Sequence, residues 1–263
     1  MKGLSSPPIA EGRTAEIFLW DDHHILKLYR AWCPPHWIKD EERIARAVYE
    51  AGIPSPAAGE IVEVNGRQGL IYERIQGISM LQNMNAHPWT ILQHARSLAR
   101  LQVKINKQSI TGLPSYKDGL RYAISKTPHL SEDLRTKTLA LLDSLPNGQR
   151  LCHGDYHPGN VILTKDGPIV IDWMTASAGS LWADVARTSL LMSIGPKGAG
   201  RLINPIVRVA ITLYHRVYLN QYHALVPDTT NELNRWMPVI AAARLNEEII
   251  PEREALRQMV EQG

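Results

Sequence analysis

The sequence predicts an α+β fold in which a small strand-rich portion precedes a larger, mostly helical one. Three observations carry this. From about residue 9 to residue 75 the apolar residues fall in short, β-branched or alternating runs, interrupted by one helical stretch. From Ser79 onward they recur at three- and four-residue spacing. At 151–173 a strand, a polar loop and a hairpin break into the helical half. With 263 residues, 44% of them hydrophobic, the chain can bury one large core or two modest lobes.

Residues 9–30 read as two strands, GRTAEIFLW and HILKLYR, joined by a tight turn at 21–24; the second frames Lys27 between Leu26 and Leu28. A helix follows over 35–51, with Ile38, Ile44, Ala45, Val48 and Tyr49 available for a buried stripe, and it stops at Gly52 and Pro54. GEIVEVNGRQGLIYERI is a strand pair around Asn65-Gly66, the strongest short hairpin signal in the chain. Helices are expected over 88–106 and 130–145, with a broken stretch between them at 111–128. Beyond Trp173, Asp184 lies near a helix start, 195–200 reads as a turn, and helices are expected over 202–222, 228–243 and 251–260.

The stretch LCHGDYHPGNVILTKDGPIVIDW (151–173) sets Asp155, Asn160 and Asp172 on the rims of short apolar strands. Moving a phosphoryl group from a nucleotide requires a carboxylate to orient the attacking hydroxyl and accept its proton, and hard oxygens to hold magnesium on the phosphates. An Asp, an Asn five residues later and a second Asp after a hairpin is the spacing of a kinase catalytic loop and its metal-binding Asp. Asp155 is therefore the candidate base, and Asn160 and Asp172 are the candidate magnesium ligands. The alternation of His153, Asp155 and His157 also suits a zinc hydrolase. No further His or Cys cluster completes such a site, and it would leave Asn160 and Asp172 without a task. His153 reads as a residue that hydrogen-bonds the loop, and His157, before Pro158 and Gly159, as one that shapes its turn.

HGDYHPGNVIL followed by IDW resembles the signature of the aminoglycoside phosphotransferase and choline kinase-like family of the protein-kinase-like superfamily. The resemblance implies a bilobal protein-kinase-like fold, with a small antiparallel-sheet nucleotide-binding lobe over 1–76 and a larger, mostly helical catalytic and substrate-binding lobe over 77–263. It implies ATP (or GTP) and Mg2+ as cofactors. The implied acceptor is a hydroxyl of a small molecule: an aminoglycoside-like antibiotic, an aminoalcohol or a related metabolite. Lys27 then stands where kinases place the lysine that pairs the α and β phosphates. Its acidic partner on the next helix is expected to be Glu42, with Glu41 as the fallback. Where a kinase has a glycine-rich loop this chain has GRTAE, so Gly12, Arg13 and Thr14 are the candidates for phosphate contact, with an ordinary start of a strand as the plain alternative. Backbone groups of Glu73 and Ile75 are expected to meet adenine at the hinge between lobes, and Asp184 to bond backbone amides of the catalytic loop. The alternative function is a nucleotide-binding pseudokinase or regulatory protein, which the glycine-poor loop supports and the complete set of Lys27, Glu42, Asp155, Asn160 and Asp172 opposes. A kinase acting on proteins is disfavoured by the short distance from Asp172 to the helix at Asp184.

The net charge of +3 is small and scattered, which argues against a nucleic-acid partner. Two cysteines, Cys33 and Cys152, indicate no disulfide framework and fit a reducing cytoplasm. The amino terminus lacks an apolar run and no eighteen-residue apolar stretch occurs, so neither secretion nor a membrane span is expected. Nothing in the sequence sets the oligomeric state. Two features bear on the acceptor. Residues 224–263 are net acidic, with Asp228, Glu232, Glu247, Glu248, Glu252, Glu254 and Glu261 outnumbering four arginines, which would concentrate a cation or else form an ordinary solvated surface. Trp173, Trp182, Tyr214, Tyr218 and Trp236 would serve as a cage for a quaternary ammonium or else as core.

Overall fold

The computed structural model describes residues 7–198, 204–228 and 230–263. The chain forms two compact units. One comprises the residues up to Met80 together with Gly159–Thr175, and the other comprises Leu81–Pro158 and Ala176–Gly263. The sequence-based division at 76/77 differs from this in giving 77–80 and 159–175 to the second portion. The reason lies in strand pairing, described next.

In the first unit, β1 (Ala10–Glu11), β2 (Ala15–Leu19) and β3 (His24–Tyr29) are followed by α1 (Pro35–Glu50), β4 (Ala58–Val64) and β5 (Arg67–Glu73). The strands form an antiparallel sheet in the order β1-β2-β3-β5-β4. Asn65 and Gly66 both take positive φ, 52° and 74°, the backbone a two-residue primed turn needs, and this fixes the β4–β5 register from Val64 opposite Arg67 onward. Ala15, Tyr29, Leu70 and Tyr72 pack with Ile38 and Ala45 of α1 on one side of the sheet, while Phe18, Leu26, Leu28 and Val64 cluster separately. The short strand β6 (Ile78–Ser79) leads into α2 (Met80–Ala86).

The second unit is helical: α3 (Ile91–Asn106), α4 (Tyr116–Lys126) and α5 (Glu132–Ser144) precede β7 (Arg150–Cys152). Ser115 and Ser131 cap α4 and α5 by accepting the Asp118 and Leu134 amides. The chain then returns to the first unit through β8 (Val161–Thr164) and β9 (Gly167–Val170). β8 pairs with β6, Ile78 opposite Leu163, and the Val170 amide donates to the Pro54 carbonyl at 2.7 Å, so this hairpin belongs with the first unit. Back in the second unit, β10 (Ser177–Gly179) pairs with β7 and leads to α6 (Leu181–Gly198), α7 (Pro205–Leu225), α8 (Glu232–Arg244) and α9 (Arg253–Glu261). α3 packs on α7, and α6 on α8. α6 runs through Gly195, where a turn was predicted; the last two residues of that predicted turn lie outside the described residues. Gly and Pro weaken helix propensity, but packing of a long helix overrides a local penalty near its end. No helix among the described residues is long and apolar enough to cross a membrane.

Candidate active site

In the first unit the sheet register assembles a buried charge cluster. Side chains alternate along a strand, so Lys27 and Tyr29 share a face of β3. Ile25 pairs with Tyr72 and Lys27 with Leu70, which puts Tyr72 on that same face of β5. On α1 the buried residues Ile38, Glu41, Ala45 and Val48 fall at spacings of three and four, so Glu41 lies within the stripe that meets the sheet. Lys27 Nζ donates to Glu41 Oε1 at 2.7 Å and to Asp172 Oδ1 at 2.8 Å. The Tyr72 hydroxyl donates to Glu41 Oε1 at 2.9 Å and the Tyr29 hydroxyl to Oε2 at 2.6 Å. Burial disfavours charge on Lys27, but the Glu41 and Asp172 carboxylates outweigh it and hold the ammonium above the ordinary lysine range. Burial, then Glu41, pushes both tyrosines up, so each stays a neutral donor. A carboxylate that is 1% exposed is thereby paired and saturated, the condition under which a buried charge is tolerated.

The partner of Lys27 is therefore Glu41, which corrects the preferred Glu42. Glu42 lies one residue off the buried stripe and accepts from Arg46 at i+4, Nη2 to Oε1 at 2.5 Å. Tyr29 and Tyr72 were not singled out in the sequence, although counting by two from Lys27 reaches Tyr29.

Asp172 follows β9 in the left-handed region, φ 64°, uncommon for a residue other than glycine. Its side chain is 43% exposed. The Ile171 amide donates to the Asn160 carbonyl at 3.0 Å, which sets Asn160 and the residue before Asp172 across from one another at the end of the β8–β9 hairpin. An amide and a carboxylate offer hard oxygens that suit magnesium, an ion usually held by one or two carboxylates with phosphate and water completing its shell. No group of three or more His, Cys, Asp and Glu side chains that could hold a metal occurs among the described residues.

The phosphate-loop candidates are arranged otherwise than expected. The Gly12 amide donates to the Ala15 carbonyl at 2.8 Å and the Thr14 carbonyl accepts the Arg30 amide at 2.8 Å, so 12–14 is a closed three-residue turn between β1 and β2. The Gly12 amide is bonded within the turn, which completes the hairpin. At the other end of the sheet Glu73 closes β5, its amide donating to the Ala57 carbonyl at 2.9 Å, and Ile75 follows two residues later.

In the second unit the loop after β7 is held by its backbone. Gly154 takes φ 77° and donates its amide to Asp184 Oδ1 at 2.9 Å, as expected of Asp184. Asp184 is fully buried, and its Oδ2 accepts Gln102 Nε2 at 3.0 Å and Asn106 Nδ2 at 2.9 Å. Those two amides sit one turn apart on α3 and are held in turn by the Tyr218 and Tyr222 hydroxyls. The Asp155 amide donates to Nδ1 of the buried His153 at 3.2 Å, which gives His153 the loop-bonding task its position suggested. The Asp155 side chain remains 32% exposed, with His157 Nε2 at 3.7 Å and Arg187 Nη2 at 4.0 Å. Burial raises the Asp155 carboxyl, but His157, then Arg187 and His153, overcome it and hold the group well below the usual carboxylate range. Gln102, Asn106 and Arg187 were not anticipated; Gln102 and Asn106 at i and i+4 on an otherwise apolar helix face were the available signal.

The two acceptor readings fare differently. In the acidic segment, Glu247 and Glu252 pair with Arg244, Glu232 with Arg235 and Glu261 with Arg257, while Asp228 accepts the Glu232 and Leu233 amides at the start of α8. Much of its charge is therefore met within the segment. Trp173, Trp182, Tyr214, Tyr218 and Trp236 are all buried, so these five are core and not a cage.

A profile of the phosphotransferase enzyme family, APH, matches residues 7–219. No curated protein sequence matches the chain. Among solved structures, a thermostable mutant of aminoglycoside phosphotransferase APH(4)-Ia, in ternary complex with AMP-PNP and hygromycin B, is similar at 18% identity and TM-score 0.64, covering 97% of this chain and 93% of that one. Aminoglycoside phosphotransferase APH(3'')-Id from Streptomyces rimosus is similar at 15% identity and TM-score 0.59, covering 90% and 91%. A choline/ethanolamine kinase family protein from Mesorhizobium loti is similar at 14% identity and TM-score 0.57, covering 97% and 82%. These likenesses show the kinase-like fold, and by the match over 7–219 the chain belongs to the phosphotransferase enzyme family as a small-molecule kinase.

Proposed function

We propose that the protein transfers the γ-phosphate of ATP to a hydroxyl of a small molecule of the aminoglycoside or aminoalcohol kind, with Asp155 as the base. The observation that carries this reading is the buried Lys27 ammonium bridging Glu41 and Asp172, a preset cation on the nucleotide side of a family phosphotransferase. AMP-PNP and hygromycin B in the complex of the APH(4)-Ia neighbour support nucleotide and aminoglycoside as the reactant classes. Lys27 would meet the α and β phosphates while Glu41 keeps it oriented. Glu73 and Ile75 would read adenine by their backbone. Asn160 and Asp172 would hold magnesium, which when bound supplies positive charge to the phosphates.

Asp155 stays ionised because its neighbours favour the anion. A base of such low basicity suits a loose transition state: the acceptor hydroxyl keeps most of its proton until late, and the carboxylate chiefly fixes its direction before taking that proton. The closed turn at 12–14 favours one alternative, a protein that binds nucleotide without transferring phosphate. Mass spectrometry separates the two after incubation of a panel of aminoglycosides, choline, ethanolamine, homoserine and sugars with protein, ATP and magnesium, with Asp155→Ala as the blank. One compound gaining a phosphate with wild type alone is the expected result; nucleotide bound and no compound modified would favour the alternative.

A further inference from the structure

Arg187 belongs to none of the motifs described above, yet its side chain ends beside the proposed base. It projects from α6 with its side chain only 12% exposed. Nε donates to the Gly154 carbonyl at 3.1 Å, and Nη2 donates to Glu247 Oε1 at 2.6 Å while standing 4.0 Å from Asp155 Oδ1. Glu247 is fixed from its other oxygen by Arg244 Nη1 at 2.5 Å. Arg244 in turn forks onto Glu252, Nε to Oε2 at 2.9 Å and Nη2 to Oε1 at 3.1 Å. Five charges thus alternate in sign along one chain of contacts, from Asp155 through Arg187, Glu247 and Arg244 to Glu252. A planar guanidinium with several donors is the group suited to hold a carbonyl and a carboxylate at once while presenting charge to a third group.

We infer that Arg187 is a positioning residue: seated by Glu247 and Arg244 from the carboxy-terminal segment, it grips the Gly154 carbonyl and fixes the orientation and charge of the Asp155 carboxylate. The inference rests on the proposed role of Asp155 only for its effect on rate; the effect on the carboxylate itself is independent of it. Asp184 and His153 hold the amides of Gly154 and Asp155, and Arg187 holds the Gly154 carbonyl, so the loop is fixed from three sides. The charged and titratable groups around the carboxylate are His157 and His153 of its own loop, Arg187 and Asp184 of α6, and Glu247, with Tyr116 of α4 in the field of Arg187. Of these, Arg187 is a guanidinium, which stays charged at any pH a protein meets.

The test is carbon-13 NMR of aspartate-labelled protein, with the Asp155 carboxyl resonance assigned by Asp155→Asn, run beside ADP release from magnesium and ATP with water as acceptor. Arg187→Met is expected to raise the Asp155 titration midpoint by about one to three pH units. It is also expected to lower kcat for ADP release on the order of tenfold to a hundredfold with KM for ATP unchanged. Arg187→Lys keeps a cation and loses the fork, so the midpoint stays low while kcat falls. An unchanged midpoint in Arg187→Met would overturn the inference. If that variant does not fold, wild-type kcat in Arg187→Lys overturns it instead. A raised midpoint in a protein whose wild type phosphorylates no compound of the acceptor panel would leave Arg187 in its role and refute the proposed reaction.

Discussion

The cluster around Lys27 and the loop around Asp155 solve opposite problems. Around Lys27 the side chains are the fixed parts: ammonium, carboxylate and two phenols lie in the dry space between sheet and α1, each bonded to another. Around Asp155 the backbone is the fixed part, pinned at Gly154 and at the Asp155 amide, while the carboxylate keeps a third of its surface open. A group that holds charge toward one invariant nucleotide gains from rigidity, because preorganised charge needs no rearrangement at the moment of reaction. On the proposed reading, the carboxylate that meets the acceptor has to be reachable.

The largest effect that would break this comparison is expected from Glu41→Gln. It removes one of the two charges that keep Lys27 cationic in a buried site and leaves two tyrosines facing an amide; ADP formation should fall on the order of a hundredfold in a coupled assay, the scale set by misplacing one group about an ångström. A smaller effect is expected from Tyr72→Phe. Glu41 Oε1 keeps its bond to Lys27, and the loss of one hydrogen bond to a buried carboxylate should destabilise the protein by about 1.5–3 kcal/mol in urea unfolding. Tyr29→Phe, which strips Oε2 of its described donor, should cost a similar amount. The smallest effect is expected from Glu42→Gln: an exposed i,i+4 pair with Arg46 is worth about 0.3–0.5 kcal/mol, so activity and stability should match wild type within error. Activity lost in Glu42→Gln and kept in Glu41→Gln would invert the assignment.

That pair of glutamates also shows what the sequence made legible. The strand, loop and hairpin at 151–173, the Asn65-Gly66 turn and the helix over α1 could be read because each is a local signal. Choosing between Glu41 and Glu42 needed the phase of the α1 stripe. Ile38, Ala45 and Val48 define it and Glu41 falls on it, so the information was present and family spacing pointed one residue away. β6 and β10 were not legible, because two- and three-residue strands exist only through partners distant in the chain. The closed turn at 12–14 was hidden for a similar reason: glycine permits many loop shapes, and the bond to Ala15 selects one. Gln102 and Asn106 left only the signal of two amides one turn apart on an apolar face, and Arg187 left none; their meaning comes from what α3 and α6 place them against.

The central claim is that Lys27 serves the nucleotide and Asp155 serves the transfer. The most direct measurement is the dissociation constant of ATP with magnesium by calorimetry, paired with single-turnover ADP formation, for Asp155→Asn and Lys27→Met. The account predicts that Asp155→Asn binds nucleotide as wild type does while its transfer rate falls about 10²–10⁴-fold, the usual span of general-base catalysis, and that Lys27→Met loses affinity. Wild-type turnover in Asp155→Asn would contradict it.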